Sequence, residues 1–199
     1  MGRCKLMRKL NLGSGQNKKA GFINIDKFGE SNPDLIIDLE KTPWEFDDDT
    51  VDEILLNHVL EHLGRDVDVF FSIIQEIYRI CCDEAVIQVN VPHPRHDNYL
   101  NDPTHVRIIT PELMGLFSKK NCLRWKEIGA ANSPLALYLD VDFEIINSSV
   151  TLDPRYLSAY EAGEISNEEI KTAMNRYNNV IAEYTMTLKA IKSKSISDQ

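Results

Sequence analysis

Cysteine is scarce in this sequence. Four occur in 199 residues, Cys4, Cys81, Cys82 and Cys122, and no two are spaced as C-x-x-C. That argues against a cysteine zinc ribbon or a thioredoxin-type redox pair. The expectation is four reduced thiols that pack, with the vicinal pair lying in an apolar helix pattern. Long apolar runs are missing too, so no segment reads as a bilayer span. The basic start MGRCKLMRKLNLG runs straight into a glycine turn, without a secretory apolar region and cleavage site. A cytoplasmic protein is expected. Positive charge is in deficit: 22 Lys and Arg stand against 31 Asp and Glu, a net charge of −9. Proteins that grip a phosphate backbone usually show a basic face, so nucleic acid is disfavoured as a partner. There is no internal repeat, low-complexity linker or second composition regime. One domain over 1–199 is the simplest account.

What is present is a series of short strands. Residues 9–12 lead into Gly13-Ser14-Gly15, a strand that ends in a glycine turn. Further strands are predicted at 22–26, 34–38, 51–57 and 85–91. Phe70, Ile73, Ile74, Ile77, Tyr78 and Cys81 recur at spacings of three and four, which predicts a helix over 67–82. The run AVIQVNV at 85–91 is too apolar for an open face and reads as central. Thr110-Pro111-Glu112 supplies an N-cap, a proline at N1 and a first-turn acid, so a helix should run to about Lys120. A strand is expected at 143–146 and polar helix over 156–178. Ala182, Tyr184, Met186, Leu188 and Ala190 then alternate with Glu183, Thr185, Thr187 and Lys189, the period of a half-exposed or edge strand. A polar tail over 193–199 should fray. Strands joined by short or helical crossovers point to a parallel α/β sheet, whose ligands bind beyond the carboxyl ends of the strands.

Four successive strand ends carry glycine or a polar residue: Gly13-Ser14-Gly15, Asp26, Asp38, and Asn57-His58. Glycine lets backbone approach a ligand, and an acid after the second strand typically takes ribose hydroxyls. Together they describe a nucleoside site. A dinucleotide fingerprint would want a third glycine, but Gln16 and Asn17 follow, and Asp26 comes too early. The 13–21 connection leaves room for a turn of helix at most, a poor pyrophosphate cradle. There is no G-K-[ST] for a nucleoside triphosphate. A nucleoside ligand without phosphates fits better.

The segments KLNLGSGQNKKAGFINIDKF, DLIIDLEKTPWEFDDDTVDEILLNHVLEHL, VNVPHP and DPTHVRIITPELM resemble the small class I S-adenosylmethionine-dependent methyltransferases. The nearest branch is the one in which strand four ends in x-H-V-L-E-H. The resemblance covers residues 8–121 and, more loosely, the last strand. It implies a Rossmann-like three-layer sandwich with a seven-stranded, mostly parallel sheet, order 3-2-1-4-5-7-6, and an antiparallel last strand. It implies S-adenosylmethionine as cofactor and S-adenosylhomocysteine as product. By the same resemblance Leu12, Gly13, Ser14 and Gly15 pass under the methionine part and Asp26 holds the ribose. Lys27 or Phe28 flanks the adenine, Asp38 with the Leu39 amide meets its edge, and Asn57 and His58 lie near the sulfonium. Asn11 stands where generic members carry an acid, so its contact with the cofactor's amino group is open.

His58-x-x-Glu61-His62 has the spelling of an inverted zinc protease. That chemistry needs a helix placing both imidazoles on one face, and Gly64 leaves only a turn. A hydrolase is therefore not expected. Whether Glu61 and His62, with His105 downstream, hold a divalent metal or only pack stays open, and no metal is assigned. His93, His105 and His62 are the candidate catalytic residues, since imidazole can serve as general base for a hydroxyl. His96, Tyr99 and Arg107 lie in the same stretch. The expected reaction is methyl transfer to a hydroxyl or amine of a small molecule or sugar. A non-catalytic S-adenosylmethionine-binding partner subunit, or an NAD-dependent oxidoreductase or epimerase, are the alternatives. Residues 155–178 read as a helical insertion, either a lid or a dimer contact, and a homodimer is open.

Overall fold

A computed structural model describes residues 8–192. Cys4 and the 193–199 tail lie outside the described residues. Seven strands form one sheet: β1 (Arg8–Leu12), β2 (Ile23–Asp26), β3 (Leu35–Ile36), β4 (Val51–Asn57), β5 (Cys81–Pro92), β6 (Phe143–Leu152) and β7 (Ile181–Ala190). Their order is β3-β2-β1-β4-β5-β7-β6. The first five are parallel, while β7 runs antiparallel to both β5 and β6. This is the order that the resemblance implies.

The longest helix, α1 (Val67–Ile80), is amphipathic. Asp66 caps it by accepting from the Asp68 amide, and Phe70, Ile73, Ile74, Ile77 and Ile80 are buried along one stripe. They join the apolar side of the sheet in one core with Leu10, Leu12, Ile54, Leu56, Ile87, Val89, Met186 and Leu188. Short helices follow: α2 (Asp97–Leu100), α3 (Pro111–Gly115), α4 (Lys119–Glu127) and α5 (Leu135–Leu139), then α6 (Pro154–Glu161) and α7 (Asn167–Arg176) between β6 and β7.

Several boundaries differ from the sequence expectation. Cys81 and Cys82 begin β5 rather than ending the helix. The expected helix runs two residues too far because burial continues past Ile80 through Cys81 and Cys82. Cys81 and Cys122 are free and buried, but Cys82 is disulfide-bonded, against the expectation of four reduced thiols. The register sets Arg8 beside Val51 and Val51 beside Cys81, a proximity that spacing along the chain does not show. The predicted helix from Thr110 is two: Thr110 does cap α3, but α3 ends at Gly115 and Ser118 caps α4. Strand β3 is shorter than expected and β6 much longer. The alternating β7 is no edge strand, since it pairs on both sides. Its alternation has another cause: Met186 and Leu188 enter the core while Thr185 and Thr187 face the other way and stay half-exposed. Strand β5 is central as expected, yet Gln88 on its second face is exposed.

Candidate cofactor cleft and histidine cluster

The β1–β2 connection contains no helix. Side chains hold it instead. Asn11 and Asn24 are register partners on β1 and β2, and both are buried. Asn11 Nδ2 donates to Asn24 Oδ1 at 2.9 Å and to the Asn17 carbonyl at 3.0 Å. Asn24 Oδ1 also accepts from the Lys19 amide at 2.6 Å, and its Nδ2 donates to Asp34 Oδ2 at 2.8 Å. Asn11 is thus engaged with the 13–21 segment and with β2.

The glycine turn sits above this staple. Gly13 and Gly15 have φ of +63° and +47°, a region that a side chain strains to reach. A Cβ on Gly13 would also meet Val59 Cγ2 at 2.6 Å. Gly15 donates its amide to Asp26 Oδ2 at 2.8 Å, while Asp26 Oδ1 accepts from the Phe28 amide at 2.9 Å. Two amides so fix the Asp26 carboxylate at the end of β2, with further lone pairs left on each oxygen.

Gly13, Ser14, Gly15, Asn57 and His58 line a single cleft of about 550 Å³, together with Asn11, Asn17 and Asn90. That size lies within the usual range for small-molecule sites. Ser14 Oγ is buried without a partner there. Leu12 lies below the turn with its side chain wholly buried. Lys27 and Phe28 follow Asp26, with the Lys27 ammonium over an exposed Phe28 ring. Of the residues expected at the cofactor, Leu12, Asp26, Lys27, Phe28, Asp38 and Leu39 do not line the cleft. Asp38 accepts from the Glu40 amide and pairs with Lys41, and Leu39 is buried under Trp44 Nε1, which donates to its carbonyl.

His58 adopts φ +55° at the end of β4. Its Nε2 lies 3.2 Å from Glu183 and its Nδ1 3.4 Å from Glu61. The Glu61 carboxylate, with Glu183 adding to it, raises the His58 pKa above its ordinary value. At 3.4 Å the Glu61 contact is long for a hydrogen bond, and no other donor reaches either Glu61 oxygen although the residue is 1% exposed.

Glu61 and His62 sit on a single 3-10 turn, Leu60–His62. The Glu61 carbonyl accepts from the Val106 and Arg107 amides, which draws the 102–107 segment against this turn. The His62 and His105 rings consequently lie 4.6 Å apart. His93 stands elsewhere. It is buried, contacts the Tyr184 ring and accepts the Arg95 amide on Nδ1. That bond places its proton on Nε2, and burial followed by Arg95 and His96 lowers its pKa.

The insertion is tied to the turn after His93. Arg95 donates to the Asn175 and Met174 carbonyls at the end of α7, and buried His96 contacts buried Asp153, the N-cap of α6. Sequence reading missed Glu183, Asn90 and the Asn11–Asn24–Asp34 staple. Glu183 had one available signal: the β7 alternation places it with Thr185, Thr187 and Lys189, away from the core. That it faces His58 depends on β7 lying beside β5, which the alternation does not reveal.

No protein-family model matches the chain, and no curated protein matches it in sequence. Solved structures do. An S-adenosylmethionine-dependent methyltransferase from Archaeoglobus fulgidus aligns at TM-score 0.59 and 18% identity, over 94% of this chain and 87% of that one. The [4+2]-cyclase SpnF aligns at 0.54 and 14%, over 94% and 76%. Phosphoethanolamine N-methyltransferase 2 of Haemonchus contortus, solved with S-adenosyl-L-methionine, aligns at 0.52 and 12%, over 96% of this chain and 50% of that one. The chain has the class I methyltransferase fold. Within it the Gly13–Gly15 end of the cleft lies at the carboxyl ends of β1 and β4, where open α/β sheets take ligands, and the rest runs over the sheet face along Glu53, Leu55 and Gln88. The cyclase in the same set shows that this fold does not by itself fix a reaction.

Proposed function

We propose that the protein is an S-adenosylmethionine-dependent methyltransferase acting on a hydroxyl or amine of a small molecule or sugar. The observation that carries this is the junction of Asp26 with the glycine turn, a 2.8 Å bond between Gly15 N and Asp26 Oδ2. It sets a fixed carboxylate beside a backbone cradle, as a ribose and an amino-acid tail in one ligand require. The orphaned Ser14 Oγ supplies a further polar group at the cradle. S-Adenosylmethionine, when bound, supplies a sulfonium methyl for in-line displacement by an acceptor lone pair.

The chain's part is to hold and to deprotonate. Asp26 would grip ribose hydroxyls, and Phe28, exposed beside it, would cover a base. Asn57 and His58 close the cleft opposite Gly13. A hydroxyl acceptor needs a base. His62 and His105 come together near His58 and are better placed for this than His93, whose Nδ1 lone pair is already used.

The test is isothermal titration with S-adenosylmethionine, S-adenosylhomocysteine and NAD. Binding of the first two in the micromolar range, weakened about 10- to 100-fold in Asp26→Ala, is expected from loss of charge-assisted hydrogen bonds. NAD binding alone would replace this reading with an oxidoreductase. Binding without methyl transfer to any hydroxyl or amine acceptor would leave a cofactor-binding subunit.

A further inference from the structure

The H-x-x-E-H motif is not explained by the cleft. Glu61 is buried and neither of its oxygens has a hydrogen-bond donor, with the His58 imidazole the near group at 3.4 Å. One ligand atom each from Glu61, His62 and His105 lie within 4.8 Å of one another. Close approach alone would be a weak argument. The bonds behind the two imidazoles make it a strong one.

His105 Nδ1 lies 2.7 Å from the Tyr99 carbonyl oxygen. A carbonyl only accepts, so Nδ1 carries the proton and Nε2 is bare. His62 Nδ1 lies 2.9 Å from Thr104 Oγ1. The Thr104 hydroxyl proton is spent on Asp102 Oδ1, 2.5 Å away, so the Thr104 oxygen accepts from His62 Nδ1. His62 Nε2 is bare as well. Each ring is fixed in the Nδ1–H tautomer by a second residue, the arrangement that orients histidines toward a metal. The Tyr99 ring stacks on His105 and holds its plane. Asp102 stands behind His62 through Thr104, while its Oδ2 lies 3.8 Å from His105 Nε2, the nitrogen offered to an ion.

We propose that Glu61, His62 and His105 form a binding site for a divalent first-row transition ion of the zinc, manganese or iron class. Two imidazole nitrogens and one carboxylate suit such an ion, whereas magnesium and calcium prefer oxygen ligands throughout. Three protein ligands leave coordination positions open, as in sites that act on a substrate. His58, 3.4 Å from Glu61, lines the cofactor cleft, so the site is one side chain from it. If the methyltransferase reading holds, the ion's role there is to acidify an acceptor hydroxyl, and the two histidines are ligands rather than bases. Ion binding itself does not rest on that reading.

The experiment uses the full chain stripped with chelator and titrated with Zn²⁺, Mn²⁺ or Mg²⁺ alone, with no cofactor. One Zn²⁺ or Mn²⁺ per chain is expected, with Mg²⁺ weaker by at least about tenfold. His105→Gln and Glu61→Gln should each weaken Zn²⁺ by about 10- to 100-fold or more. An unchanged thermal transition in His105→Gln would show that the fold survives, and His93→Ala serves as a histidine-deletion control that keeps the site. Native protein that binds neither Zn²⁺ nor Mn²⁺ overturns the proposal. So does Zn²⁺ binding that persists undiminished in the folded His62→Ala/His105→Gln double variant. S-Adenosylhomocysteine titrated separately tests the cofactor reading, so either idea can fail without the other.

Discussion

The two faces of the sheet are made by the same strands and could hardly differ more. One row across the sheet joins Leu10, Ile54, Ile87 and Leu188, each no more than 1% exposed. A neighbouring row on the opposite face joins Asn11, Leu55, Gln88, Thr187 and Asn147. Parallel sheets usually bury both faces and read as continuous apolar runs. Here the second face is polar and tied by cross-strand pairs, Lys9 with Glu53 at 2.7 Å and Asn90 with Asn57 at 3.0 Å. The cleft at Gly13–Gly15 opens on that side, and its lining includes Glu53, Leu55 and Gln88. The lesson is a division of labour: apolar burial is concentrated on the α1 side, and the polar groups are carried by the other.

Neighbouring residues on β5 give the sharpest contrast. Ile87→Ala should cost about 2–5 kcal/mol of stability, by lost transfer energy and a cavity in a core with little room to collapse. Gln88→Ala, one residue on and facing out, should stay within about 0.5 kcal/mol. Denaturant unfolding of both variants measures the difference. Equal losses would mean that the second face is buried in solution, for example by another molecule.

A smaller effect is expected where the two faces meet the glycine turn. Asn24→Ala removes the acceptor for Asn11 Nδ2 and the Lys19 amide. One proton of the buried Asn11 side-chain amide is then left unpaired, a cost on the order of 2 kcal/mol. Amide exchange in 13–21 should rise more than in α1. If exchange in that segment is unchanged, backbone bonds such as Ser14 N to Ile25 O hold the turn without the staple.

This contrast also explains what the sequence could show. β4 was legible to the residue because VDEILLN is bounded by turn residues and pairs on both sides. The α1 stripe was legible because burial there follows helical spacing. Side-chain ties across distant segments were not. Nothing in the local pattern of Asn11 or Asn24 signals that they replace a helix, since asparagine at a strand position reads as an ordinary polar residue. The Glu61–His62–His105 convergence was half legible: the motif stands in the sequence, but the loop that returns His105 is set by the Val106 and Arg107 amides meeting one carbonyl. β7 was legible as a strand but not as an internal one, because alternation reports one open face and says nothing about edges.

The smallest effect concerns the outer end of the staple and separates it from the core by pH. Asp34 Oδ2 accepts both the amide and the Nδ2 of Asn24, each at 2.8 Å. The Asn24 amide first, then its side chain, then Lys18 lower the Asp34 pKa from 3.8 to about 2. A depressed carboxylate pKa stabilises the folded state above the unfolded value and loses that contribution as pH falls through the folded one. The 13–22 segment should therefore loosen between about pH 4 and pH 2, while the α1 side, which has no share in this pair, keeps its protection until global unfolding. A carbon NMR titration of the Asp34 carboxyl, read beside amide exchange in both regions, checks this. In Asp34→Asn the loosening over that interval should disappear. An Asp34 that titrates near 3.8, or a segment that loosens equally in the variant, would show that the staple ends at Asn24 and that the polar face is held from within the sheet alone.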